Sequence, residues 1–213
     1  MNYRLAITFG LFASTVAHGA VIFSLGNTPQ VDEPVLFHDS CSGCVDGPGT
    51  LVIGHTQTSN LLTDLTTSGQ ITAVDPGHNS VSTPLDVGFL DMSISIPGYS
   101  FTSIILNLTE LSTVPNGTVT FTAHVLGGAD VVSSALFVDH MGGNYYTITT
   151  TGGTKITQLD LQTSELQHDI SQIRIGGAEA IPEPSTFWLM GIASAAGVLF
   201  VRRRQPLATA PRK

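Results

Sequence analysis

Val119-Thr120-Phe121-Thr122-Ala123-His124-Val125 carries apolar side chains at its odd positions and polar ones at its even positions. That period of two separates a wet face from a dry face only when the chain is extended, because successive side chains of a strand point to opposite sides. Leu90-Asp91-Met92-Ser93-Ile94-Ser95-Ile96 repeats the pattern with its apolar residues on the even numbers. Further strand runs are expected at residues 51–55, 71–74, 101–108, 133–138, 145–150, 156–161 and 173–175. The alternation slips between Ile156 and Leu159, which predicts a bulge. Turn residues punctuate these runs at Pro48-Gly49, Asp75-Pro76-Gly77, Pro97-Gly98, Gly127-Gly128, Gly142-Gly143-Asn144 and Gly152-Gly153. Pro115-Asn116-Gly117 reads as a hairpin turn joining 104–108 to 119–125. Many short strands with Gly and Pro turns give an all-β expectation: a single antiparallel β-sandwich, jelly-roll-like, over residues 21–180.

Composition supports that class. Of 213 residues, 42% are hydrophobic and 11% charged, against about 25% charged in an average soluble domain. Disordered chains are charge-rich and apolar-poor, so the composition disfavours disorder. Helix-rich architecture is disfavoured by 26 Thr and 22 Gly against two Lys, Lys155 and Lys213. Residues 20–181 hold fifteen acidic side chains and two basic ones, Lys155 and Arg174. Such a surface repels nucleic acid and anionic headgroups, so nucleic acid is not a partner.

The two ends follow a different logic. Residues 1–20 read as a signal peptide: Arg4, an apolar run over 5–16, then the small-residue stretch Ala17-His18-Gly19-Ala20. The alternatives are an N-terminal strand or a buried helix. Residues 184–201 are 18 residues without a charge. As a helix they would reach ~27 Å, close to the roughly 30 Å hydrocarbon core of a bilayer. Arg202, Arg203 and Arg204 follow at once and would stay in the cytoplasm, which leaves the rest of the chain outside. The competing reading is a core helix of a soluble domain. Just upstream, Pro182-Glu183-Pro184 disfavours helix and leaves an extended segment beside the membrane.

This order of parts resembles the PEP-CTERM sorting signal: Pro182, Glu183 and Pro184, then an apolar helix at about 186–201, then Arg202, Arg203 and Arg204. That family occurs in exported proteins of bacteria that make extracellular polysaccharide. The resemblance implies recognition by an exosortase-type membrane protease, a tail spanning 181–213, and anchoring in the inner membrane before processing. Cell envelope or extracellular matrix would be the destination. The hydrophobic helix is then a temporary address, as in other cleaved C-terminal anchors. Residues 144–178 also resemble a recurring end of PEP-CTERM ectodomains, with strands around Tyr145-Tyr146-Thr147-Ile148 and Ile173-Arg174-Ile175.

Little chemistry is legible between the ends. Cys41-Ser42-Gly43-Cys44 is the one cysteine pair, and export to an oxidising compartment makes it a disulfide candidate. Thioredoxin-like redox work needs a CxxC that opens a helix, whereas Val45-Asp46-Gly47-Pro48-Gly49 follows here. A zinc reading would join His38, Cys41 and Cys44, with His55 as the fourth ligand. Calcium would draw on Asp39, Asp46, Asp75, Asp86 and Asp91. His124 falls on the polar phase of its strand, and His78 and His140 stand near turns with no nucleophile beside them. No nucleophile elbow, phosphate loop or EF-hand loop is present. The expectation is a non-enzymatic protein with no required cofactor. The alternative is a carbohydrate-binding module for extracellular polysaccharide, using Tyr99, Tyr145 or Tyr146, since the single Trp, Trp188, lies in the tail. A hydrolase would need carboxylates paired in space.

Overall fold

Alternation at the sequence level becomes strand after strand in the computed structural model. The structure describes residues 19–182 apart from 31, 38–40, 75–78, 85–86, 112 and 141–142. Residues 1–18 of the expected signal peptide, Glu183, Pro184, the helix at about 186–201 and Arg202, Arg203 and Arg204 therefore lie outside the described residues. So do His38, Asp39, Asp75, His78 and Asp86.

Fourteen strands run through the described residues. They are β1 (Val21–Leu25), β2 (Glu33–Leu36), β3 (Gly49–Thr56), β4 (Leu62–Ala73), β5 (Ser80–Ser82), β6 (Phe89–Ser95) and β7 (Tyr99–Ser100). They continue as β8 (Ser103–Glu110), β9 (Gly117–Val125), β10 (Val131–Val132), β11 (Leu136–Val138), β12 (Asn144–Thr150), β13 (Ile156–Gly176) and β14 (Glu179–Ala180). Twelve of them share one hydrogen-bonded sheet, and β7 with β14 forms a second, two-stranded one. Among the described residues no helix is long and apolar enough to cross a membrane.

β13 organises the large sheet. Over its 21 residues it changes neighbours. Its first part lies between β9 and β6, with Leu161 opposite Phe121 on one side and Met92 on the other. Its second part pairs with β8, with Ile170 opposite Leu108, and on the other flank with β5 and then β2. β4 turns the same corner: Asp64–Thr66 pairs with β6, while Thr72 and Ala73 pair with β5. The sheet thus folds on itself as a sandwich, and apolar side chains of the two parts meet. Phe121 of β9 stacks on Phe23 of β1 with ring centroids 6.3 Å apart and packs at 5.2 Å against Tyr146 of β12. Ile94, Ile104, Leu106, Leu159 and Ile173 are buried in the same core. Truncating such a ring, as in Phe121→Ala, costs roughly 3–5 kcal/mol because the cavity collapses only in part.

Several expectations need correction. Pro115-Asn116-Gly117 does not close a hairpin: β8 pairs with β12 and β13, and β9 with β13, β10 and β11. Each of the two strands lies beside a different half of β13, so the turn carries the chain from one part of the sandwich to the other. The runs at 156–161 and 173–175 are one strand, interrupted by register shifts after Gln162, Gln167 and Ser171. Gln172 holds a left-handed φ of 55° there, a bulge that hides the continuity. The slip expected near Ile156 is present, between Ile156 and Gln158. The run at 71–74 is the end of the much longer β4, whose inward positions include the buried polar residues Thr63 and Thr67. Those threonines erase the apolar alternation that marks a strand. Of the run at 133–138 only 136–138 is strand, as β11; Val131–Val132 forms the separate β10 before it, and between them Ser133 donates its backbone N–H to the Phe121 carbonyl and accepts from the Phe121 N–H at its hydroxyl, at 2.9 Å each.

Candidate functional site

The register of β6, β13, β9 and β4 lays out a polar field on the outer face of the sandwich. Ser93 and Thr122 flank Asp160, and Asp91 and Thr120 flank Gln162. Gln158 stands between Ser95 and His124, and β4 adds Asp64 beside Ser95 and Thr66 beside Ser93. The alternating partners of these residues, Met92, Ile94, Leu159, Leu161, Phe121 and Ala123, are buried on the opposite face. A shallow depression of about 290 Å³ runs through the field, lined by Asp91, Ser93, Thr120, Thr122, Asp160 and Gln162. Asp91 is held by Ser68, whose backbone N–H donates at 3.1 Å and whose hydroxyl also bonds the carboxylate.

His124 ends the field and ties down the turn beyond β9. Its Nε2 lies 2.7 Å from Asp160 Oδ2, and its Nδ1 lies 3.0 Å from Asp130 Oδ1. Two carboxylates facing both ring nitrogens demand a donor at each, which only the protonated imidazole supplies. The hydrogen bond that His124 donates to Asp160 accordingly raises the His124 pKa above its ordinary 6.5, outweighing partial burial. Burial alone would raise Asp160, but bonds from His124, Ser93 and Gln158 bring it below its ordinary 3.8. Gln158 Nε2 donates to Asp160 Oδ1 at 2.7 Å. Both imidazole nitrogens are engaged by carboxylates, so the His–Asp pair offers no free base to a nucleophile. His124 lies on the polar face its strand phase predicts, and there it is a half-buried clamp.

A second polar group sits at the bend of β13. Gln167 is fully buried and Glu110 is 3% exposed. Gln167 Nε2 donates to the Glu165 carbonyl at 2.9 Å and to Glu110 Oε1 at 3.4 Å. Gly117 approaches so closely that a Cβ there would lie 2.6 Å from Glu110 Oε1, and its backbone N–H bonds the carboxylate. Glu110 Oε2 and Gln167 Oε1 are buried without a hydrogen-bond partner. Desolvation, reinforced by the charge of Glu165, raises the Glu110 pKa above 4.5 despite the Gln167 bond. Nothing in the sequence pattern flagged this acid, since Glu110 ends an otherwise ordinary strand.

The sequence candidates disperse. Cys41 and Cys44 are joined as a disulfide with Cα atoms 5.4 Å apart. That pairing consumes the thiolates the zinc reading required. His55 is 8% exposed on β3, with Nδ1 3.4 Å from the Thr56 carbonyl oxygen. Asp46 precedes β3, whereas Asp91 belongs to β6. Among the described residues no group of three or more His, Cys, Asp or Glu is placed to hold a metal ion. Tyr146 is fully buried, and its hydroxyl donates to the Phe137 carbonyl at 2.6 Å, so it is no platform for a sugar. Tyr99 packs against the core.

The compact β unit ends at Glu179. From Ala180 onward, residues 180–204 match the family described as the PEP-CTERM protein-sorting motif. The chain carries a PEP-CTERM sorting motif. The matched stretch contains Pro182, Glu183 and Pro184 and extends to Arg204. A PEP-CTERM motif implies handling by an exosortase-type sorting system. Comparison with curated proteins and with solved structures returned no match.

Proposed function

We propose that this is an exported, non-enzymatic protein of the cell envelope or extracellular matrix, delivered by its PEP-CTERM tail. Residues 1–20 direct export. Residues 21–180 form the displayed jelly-roll-like domain, and residues 181–213 carry the address. In that tail Pro182, Glu183 and Pro184 mark the segment read by an exosortase-type membrane protease. A helix at about 186–201 holds the chain in the inner membrane, and Arg202, Arg203 and Arg204 keep its end in the cytoplasm. The observation that carries the reading is the motif match over 180–204. The fifteen acidic side chains between the ends suit a domain that stays soluble outside the cell. The test is a reporter fused to residues 180–213 in a cell that has an exosortase. Export followed by loss of the tail, read as the mass of the recovered protein, is expected. A reporter that stays cytoplasmic, or processing that survives replacement of Pro182, Glu183 and Pro184 by Ala, would overturn the reading.

One observation favours a second role for the same domain. The field around Asp160 presents hydroxyls, amides and carboxylates in register, the groups that bond sugar hydroxyls. As a carbohydrate-binding module, the domain would bind extracellular polysaccharide there. Retention on that polysaccharide, and its loss in Asp160→Ala, is the discriminating measurement.

A further inference from the structure

The β domain has two open edges among the described residues, and they are built differently. β10 and β11, beyond β9, are two and three residues long and are separated by 133–135. Short, broken strands are a common defence against edge-to-edge pairing. β1 lacks any such defence. Its five residues pair with β12 in unbroken register from Val21 opposite Thr150 to Leu25 opposite Tyr146. No proline or lysine interrupts it.

The hydrogen-bond phase of this edge is fixed by its ends. Thr151 N–H donates to the Ala20 carbonyl at 2.9 Å, and Gly26 N–H donates to the Tyr145 carbonyl at 2.7 Å. In an antiparallel pair the bonded positions alternate. Ala20, Ile22, Ser24 and Gly26 therefore face β12, and Val21, Phe23 and Leu25 turn their N–H and C=O outward. Ile22 is 44% exposed and Leu25 60% exposed. Of the side chains, Phe23 is anchored inward on Phe121, which holds the edge rigid.

Charge selects the occupant. The domain holds fifteen acidic side chains in residues 20–181, so most faces of two copies repel each other. The segments that form this edge and its neighbouring strand, 19–30 and 143–154, contain no charged residue. We propose that β1 pairs antiparallel with β1 of a second copy. A two-fold axis at Phe23 sets Val21 opposite Leu25 of the partner subunit and Ile22 opposite Ser24 of the partner subunit, joining two sandwiches into one continuous sheet. The edge is its own complement, because an antiparallel two-fold pair uses the same donors and acceptors from both copies.

The test uses the full chain in mild detergent and does not depend on export or tail processing. In an Ile22→Cys/Ser24→Cys double variant, the two new thiols face each other across the axis at a non-hydrogen-bonded pair. Mild oxidation is expected to give a covalent species of twice the chain mass. Adding Leu25→Pro removes an outward N–H while sparing the β12 ladder, and is expected to abolish that species. Val132→Cys, on the broken edge, is expected to stay monomeric. No covalent dimer from the double variant overturns the proposal, as does an equal yield from Val132→Cys or a yield that Leu25→Pro leaves unchanged. Circular dichroism that matches the wild type confirms that each variant is folded.

Discussion

The Tyr146 hydroxyl donates to the Phe137 carbonyl at 2.6 Å, and this one bond ties β12 to β11 across the sandwich. β12 belongs with β8 and the second part of β13, whereas β11 hangs from β9 beside the first part. The ring is fully buried against Phe121, and burial, with the charge of Glu110, raises the phenol pKa well beyond its ordinary value. The hydroxyl therefore stays protonated, and a donor, at neutral pH. Tyr146→Phe keeps the ring and leaves the Phe137 carbonyl short of a donor, a loss of about 1–2 kcal/mol. Denaturant unfolding measures it, and an unchanged midpoint would contradict the link.

His124 gives the fold a pH dependence of known sign. Its folded pKa lies above the unfolded value near 6.5, so its stabilisation is complete below that value and fades as pH rises through the folded pKa. Asp160 has a folded pKa below 3.8, so its contribution is present above 3.8 and fades as pH falls through the folded value. The clamp is strongest between the two. Removing it with His124→Ala is expected to cost about 0.5–1 kcal/mol at about pH 5.5 and less at about pH 8.5. Paired unfolding curves at the two pH values check this. A cost that grows with pH would reverse the assignment.

Glu110 acts in the same sense as His124 and opposite to Asp160. Its folded pKa is raised above 4.5, so the domain loses stability as pH climbs from the unfolded value through the folded one. Glu110→Gln removes the buried charge and replaces the partnerless carboxylate oxygen with an amide nitrogen, while its carbonyl oxygen can still accept from Gln167 Nε2. A gain of about 1 kcal/mol at neutral pH is expected, with a flatter pH profile. Destabilisation at neutral pH would mean that the charged form is the one the bend requires.

The disulfide contributes little to global stability. Cys41 and Cys44 are three positions apart, so the bond restricts only a short stretch of the unfolded chain. Cys41→Ser with Cys44→Ser is expected to cost about 2 kcal/mol or less, at or below the low end for native bridges. Intact-mass measurement before and after reduction reports the bridge itself as a gain of two hydrogens. A double variant that fails to fold would assign the loop a larger part.

The strands with clean alternation, β6 and β9, were legible from residues 90–96 and 119–125 because one face is apolar and the other polar throughout. β4 was only partly legible, since Thr63 and Thr67 occupy inward positions and a pattern of apolar residues cannot register buried threonines. β13 read as two strands because its bulges shift the phase at the places where it changes partners. β1 went unread, its Val21-Ile22-Phe23 start merging with the apolar N-terminal run. The Pro115-Asn116-Gly117 turn has hairpin chemistry, but partner choice rests on β13 residues 31 to 44 positions from their partners in β9, beyond any local signal. The sorting motif was legible because it is linear, a composition in fixed order. The His124 clamp and the Glu110 bend depend on Asp130, Asp160 and Gln167 arriving from other turns and strands.

The tether and the backbone of the sandwich are nearly the same piece of chain. β13 ends at Gly176, four residues before the sorting motif begins at Ala180. The chain that leads into the motif leaves the domain from a strand gripped on both flanks, by β8 on one side and β2 and β5 on the other. A pull on the tail before its removal would therefore fall on the strand that both parts of the sandwich share.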